Sequence, residues 1–176
     1  MALLLLTVYC SLFTVNLFRA DVAFNDGEKF GRYGLYEIAT KYYRKAITLN
    51  PREPRYHREL SSVLAKLGEV PEAEREAGIA YNLNPKNSLT VRSLISTYVE
   101  LANFDAQYLS RAEGLIAESI AWQPTNPQLY YDQALILLQA GKGAEAVVAL
   151  EKAVALKPDY SKARELLAKV APEVSQ

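Results

Sequence analysis

Small and apolar residues recur along this chain at spacings of three and four, the interval that lines one face of an α-helix. In residues 39–51, ATKYYRKAITLNP, the positions Ala39, Tyr43, Ala46 and Leu49 share such a face, and Pro51 follows. The same order returns as AEREAGIAYNLNP at 73–85, AEGLIAESIAWQP at 112–124 and AVVALEKAVALKP at 146–158. Each copy opens on alanine (Ala39, Ala73, Ala112 or Ala146) and closes on proline, and Pro51, Pro85, Pro124 and Pro158 stand 34, 39 and 34 residues apart. A pair of antiparallel helices cannot bury its apolar face alone, so a repeat of this length predicts an array in which pairs stack on one another. The alanine marks a close helix crossing that a larger side chain would open. The proline ends the second helix and forces an extended entry into the next unit.

This period, with these residues, resembles the tetratricopeptide repeat over roughly residues 20–171. The resemblance implies an all-α, right-handed solenoid of four helix-turn-helix repeats, at 20–53, 54–87, 88–126 and 127–160, then a capping helix at 161–171 and a tail at 172–176. Repeat 1 is expected to hold helices near 22–33 and 36–49, with Tyr43 in the core and Tyr42 covering a neighbouring helix or facing a partner. In repeat 2, Leu60, Leu64 and Gly68 stand at consensus positions, and Pro71 falls in the first turn of the second helix, where proline is tolerated. Repeat 3 has five extra residues: Ala112 arrives late, so Asp105 to Arg111 lengthen either the turn or the second helix. Trp122 takes the place of a leucine in the other copies and is expected in the core. Repeat 4, with Tyr130, Ala134, Gly141, Ala146, Leu150 and Ala153, is nearest the consensus. The capping helix should turn Leu166, Leu167 and Val170 inward and Lys162, Arg164, Glu165 and Lys169 outward, and Pro172 should stop it.

Residues 2–18, ALLLLTVYCSLFTVNLF, carry no charge, and at about 1.5 Å per residue they make about 25 Å of helix, close to a hydrocarbon core. Residues 1–19 therefore read as a transmembrane helix. A signal peptide competes poorly, because the start lacks basic residues and Phe18-Arg19-Ala20 is a poor cleavage site. Tyr9 before Cys10 argues against a lipoprotein signal. A buried helix packed on the first repeat is the remaining competitor. Arg19, Lys29 and Arg32 follow the run, so the positive-inside rule places the repeats in the cytoplasm. The apolar run followed at once by ADVAFNDGEKFGRYGLYEIATKYYRKAITLNPREPRYHRELSSVLAKLG is similar to the carboxyl-terminal tail of bacterial O-antigen ligase or polymerase type membrane proteins. In that family the chemistry belongs to upstream membrane helices, and no catalytic residue carries over.

Charge and composition narrow the function. Twenty basic and twenty acidic residues cancel, so nothing in the bulk electrostatics points to nucleic acid. One cysteine and one histidine exclude a disulfide framework within the chain and a metal site of several Cys or His ligands. No nucleophile–base pair or phosphate loop stands out, and no cofactor is expected: Gly141-Lys142-Gly143 lacks the spacing of such a loop and falls on a turn. His57, between Tyr56 and Arg58, reads as a packing residue.

Binding is the better prospect. The resemblance implies a concave groove lined at the second, fifth, ninth and twelfth places of each repeat. Those are Arg55, Arg58, Ser62 and Ala65 in repeat 2, Leu89, Arg92, Ser96 and Val99 in repeat 3, and Gln128, Tyr131, Leu135 and Leu138 in repeat 4. Arg55, Arg58 and Arg92 could grip a carboxylate or phosphate, while Tyr131 and Leu135 would take an apolar side chain. In the competing reading the arginines are solvated and pair with Glu53, Glu59 and their neighbours. The lysine–asparagine clamp for chaperone tails is missing, with Arg58, Ser62 and Ser93 at some of its positions. The expected function is a membrane-anchored, non-catalytic scaffold that binds a protein or peptide in its groove.

Overall fold

The computed structural model describes the backbone of residues 2–85 and 87–174, and the side chains of residues 13–85 and 87–171. Among the described residues the chain forms nine helices and no strand: α1 (Ala2–Arg32), α2 (Tyr36–Leu49), α3 (Pro54–Leu67), α4 (Val70–Leu83), α5 (Ser88–Leu101), α6 (Gln107–Trp122), α7 (Pro127–Gln139), α8 (Gly143–Leu156) and α9 (Ser161–Val174). They group into two compact units, Met1–Phe104 and Asp105–Gln176. The boundary falls in the five-residue turn between α5 and α6. The five extra residues of repeat 3 are thus shared: α6 has 16 residues where α4 has 14, and the turn takes the rest.

Local sequence explains the ends of the helices. Pro54 and Pro127 open α3 and α7, where the missing N–H costs nothing, and the side chains of Glu53, Asn87 and Asn126 accept backbone N–H bonds at the starts of α3, α5 and α7. Gly34, Gly68 and Gly141 hold the short turns at φ values of 74°, 77° and 73°, a region that costs a Cβ-bearing residue strain. The longer α5–α6 turn has no such glycine, because five residues can reverse the chain with right-handed backbone.

The repeated alanines are packing residues: Ala39, Ala73, Ala112 and Ala146 are all 0% exposed. One turn on, Tyr43, Ala77, Ile116 and Leu150 are buried too. In unit 1, α1 packs on α2, α3 on α4, and α3 also on α2 and α5. In unit 2, α7 packs on α6 and α8, and α8 on α9. Tyr42 covers its neighbouring helix, its ring stacked 5.2 Å from that of Phe30.

Two expectations need correction. Trp122 is 55% exposed, not core. It is the last residue of α6, and its counterparts are also poorly covered: Leu49 and Leu156 are half-buried and Leu83 is exposed, because a helix end runs past the crossing that buries its middle. Pro172 does not stop α9, which continues to Val174. Proline's own φ is helical, and near a helix end it forfeits only one backbone bond. The inward side of α9 is as expected, with Val170 buried and Leu166 and Leu167 half-buried.

α1 enters the first repeat without a break. Residues 2–12 of the expected membrane segment, with Cys10, lie outside the described side chains. Among the described residues no helix is long and apolar enough to cross a membrane. Phe13, Val15 and Phe18 are exposed and Asn16 and Leu17 half-buried, so this part of α1 is covered on one side at most; full burial begins at Ala20.

Gly27 shows how tightly α1 and α2 meet. A Cβ there would lie 2.7 Å from Tyr43 Cε1 and 2.8 Å from its Cδ1, and shifting the buried ring would disturb its packing on Phe24, 5.6 Å away. Gly27→Ala should therefore destabilise the protein by about 1–3 kcal/mol, although alanine favours a helix by about 1 kcal/mol. Urea titration of the helical circular dichroism checks the sign.

Candidate functional site

α1 and α3 run in the same direction. Near the start of α3, Arg55 Nη2 donates to Asp21 Oδ1 at 2.8 Å and Tyr56 Oη donates to the same oxygen at 2.6 Å, while the Phe24 and Tyr56 rings lie 5.1 Å apart. Further along, the two helices line a cavity of about 450 Å³. α1 contributes Glu28, Gly31 and Arg32, and α3 contributes Glu59, Ser62, Val63 and Lys66. These are three- and four-residue spacings on each helix, so one face of each looks into the cavity. α2 supplies Tyr36 and Tyr43.

Tyr43 is 3% exposed, and its hydroxyl has no hydrogen-bond partner among the described residues. Burial, then Glu59 and Glu28, push its phenol well above the ordinary value, with Arg32 working the other way, so the O–H remains a donor. Glu59 accepts from Arg58 Nε at 3.0 Å through one oxygen. Lys66 Nζ lies 5.0 Å from the Tyr36 ring centroid, within cation–π range. Glu28 and Arg32 make no ion pair among the described residues.

Of the residues singled out from the repeat pattern, Ser62 lines this cavity. Arg55 is held by Asp21 and lies 4.4 Å over the Phe24 ring. Arg58 is largely covered and paired with Glu59. Glu53, an expected partner for the arginines, instead accepts the backbone N–H of Arg55. Ala65 is buried, so the twelfth position of repeat 2 faces the core. Arg92 and Ser96 lie exposed on α5. In unit 2, Gln128 Nε2 donates to Asp132, Gln128 Oε1 accepts from Tyr160 Oη at 2.6 Å, and the Tyr131 and Tyr160 rings lie 5.4 Å apart. Leu135 is exposed beside them on α7. The pattern missed Glu28, Arg32, Tyr36, Glu59 and Lys66 as cavity residues, and Tyr160 as the partner of Gln128. The acid-then-base order on both α1 and α3 is legible in the sequence, but only their side-by-side placement makes it a site.

His57 is buried, as expected of a packing residue, yet it is also ionically engaged. Nδ1 lies 2.6 Å from Glu76 Oε2 and Nε2 lies 2.9 Å from the Pro51 carbonyl. Both partners are acceptors, so this geometry calls for N–H on both nitrogens, the imidazolium. Burial lowers the imidazole pKa, but Glu76 and the Pro51 carbonyl outweigh it and hold it above the ordinary value. Burial raises the Glu76 carboxyl, and His57 and Arg75 more than reverse this, leaving it below the usual range.

The sequence profile described as Tetratricopeptide repeat matches residues 30–87 and, in a second form, 127–160. Among solved structures, this chain is similar to a thermophilic TPR protein of Thermus thermophilus, TTC0263, at 22% identity and a TM-score of 0.70, covering 88% of this chain and 82% of that one. It is similar to PilF of Pseudomonas aeruginosa at 20% identity and a TM-score of 0.69, covering 91% and 71%. It is also similar to YrrB, described as a TPR protein with an unusual peptide-binding site, at 20% identity and a TM-score of 0.61, covering 92% and 86%. At these identities the likeness is one of fold. No curated protein sequence matches the chain.

Proposed function

Because this chain carries tetratricopeptide repeats, we propose that it is a non-catalytic interaction scaffold that holds an extended peptide on the inner face of its first helices. One observation carries the reading: the α1–α3 cavity, lined by Tyr43, whose hydroxyl no other group among the described residues engages. A peptide main chain offers the acceptors and donors that such a hydroxyl lacks. The peptide-binding site described for YrrB supports the same use of this fold. Arg92 and Ser96 on α5, and separately Gln128, Tyr131 and Leu135 on α7, remain proposed contacts with a protein or peptide partner.

The test is to pan a random peptide library against the full chain in detergent micelles. Enrichment should disappear with Ser62→Trp, which fills the cavity, while the helical signal is kept. Enrichment that survives Ser62→Trp, or none with the parent chain, would refute the reading.

Residues 2–18 would anchor the scaffold in the bacterial inner membrane, with the repeats on the cytoplasmic side. Support comes from the unbroken α1 and the exposed Phe13, Val15 and Phe18, since a helix that is apolar all round seeks an apolar surrounding. The chain should stay with membranes through alkaline carbonate extraction and be released once residues 2–18 are deleted. A second reading, the regulatory tail of an O-antigen ligase type transferase, is favoured by the same direct passage of α1 into the repeat. It requires a native band in membranes well above the 19.6 kDa of this chain.

A further inference from the structure

We infer that the cavity between α1 and α3 selects an extended peptide with a basic and an acidic side chain two residues apart. The inference deepens the peptide-holding reading and rests on it. Its basis is the order of charge along the two walls. Glu28 on α1 and Glu59 on α3 both line the cavity and act electrostatically on the Tyr43 phenol, as does Arg32 with the opposite sign. Arg32 and Lys66 follow on the same two helices, Lys66 held toward the far end by the Tyr36 ring. Because α1 and α3 run the same way, acid lies beside acid and base beside base. The cavity therefore has a negative end and a positive end.

The spacing sets the ligand. Glu28 to Arg32 is four residues, about 6 Å of helix, and Glu59 to Lys66 is seven, about 10 Å, so the two ends stand between those distances apart. In an extended peptide, side chains at i and i+2 point the same way about 7 Å apart. A basic residue at one and an acidic residue at the other would meet Glu28 and Glu59, and Arg32 and Lys66, respectively. Tyr43 and Ser62 line the same cavity, and their hydroxyls would meet the intervening main chain. Two like charges at that spacing would set one of them against its own sign. A free amino acid carries its two charges on one carbon, too close together to reach both ends. The volume of about 450 Å³ is within the range of roughly 300–1,000 Å³ usual for ligand sites.

Four fluorescein-labelled heptapeptides, blocked at both ends and carrying Arg-Ala-Glu, Arg-Ala-Arg, Glu-Ala-Glu or Gln-Ala-Gln at the centre, make the test by fluorescence anisotropy with the full chain in detergent at low salt. The mixed-charge peptide should bind about tenfold tighter than the other three, and the margin should shrink with added salt. The double variant Glu28→Arg with Arg32→Glu, both at exposed positions, should erase the preference and leave the circular dichroism unchanged. Tyr43→Phe should weaken all four peptides alike. Equal binding of the four peptides, or a preference that survives the charge swap, overturns the inference while leaving peptide holding intact. No binding by any of the four also overturns it, and if the random library enriches nothing either, the reading beneath it falls as well.

Discussion

Glu76→Leu is expected to lower the unfolding free energy by about 3–5 kcal/mol near pH 6, the usual cost of removing one partner from a buried pair. His57 would be left buried with its Nδ1 proton facing a hydrocarbon side chain, because Glu76 Oε2 at 2.6 Å is its partner there. His57→Leu combined with Glu76→Leu should recover about 1–2 kcal/mol of that loss, since a buried pair replaced whole by apolar groups is often nearly neutral. A double variant no more stable than the single would show that the pair is not coupled.

The pH dependence follows from the two shifts. The folded pKa of His57 is raised above its ordinary 6.5, so its contribution is complete below about pH 6.5 and fades as pH rises through the folded value. The folded pKa of Glu76 is depressed below its ordinary 4.5, so its contribution is present above about pH 4.5 and fades as pH falls through the folded value. The pair should thus stabilise most between about pH 4.5 and 6.5. Urea midpoints of the parent chain, measured from about pH 5.5 upward, should fall as His57 loses its proton, and the double leucine variant should flatten that fall.

Phe24→Ala should cost about 3–5 kcal/mol, the range for deleting a buried aromatic ring. Phe24 is one of the largest fully buried side chains. It joins three helices, with the rings of Tyr43 on α2 and Tyr56 on α3 at 5.6 Å and 5.1 Å, and Arg55 stacked over it. Removing the ring would leave a void beneath α1 and unseat the wall that carries Glu28 and Arg32. Phe24→Leu, which keeps most of the volume, should cost less than half as much. Thermal unfolding by circular dichroism separates the two variants, and equal losses would mean that the ring's volume is not what holds α1 down.

Much of this architecture could be read from residue spacing. The opening alanines and closing prolines mark the second helices, and glycine marks the short turns at Gly34, Gly68 and Gly141. These features are local: a helix face, a turn with positive φ and a missing N–H each depend on residues a few positions apart. Counting also locates the insertion in repeat 3, though not its division between the turn and α6.

The partnerships across helices could not be read that way. Asp21 and Arg55 are 34 residues apart, His57 and Glu76 are 19, and Gln128 and Tyr160 are 32. Whether such residues meet depends on how far each helix is rotated about its own axis, and a rotation of one residue moves a side chain by about 100°. For that reason Ala65 lies in the core although it stands one position before the cavity-lining Lys66. Spacing along the chain made the helices, their pairing and their turns inevitable. Contact between helices far apart in sequence placed two acids, two bases and a buried phenol around one cavity, because only packing sets which faces look at each other.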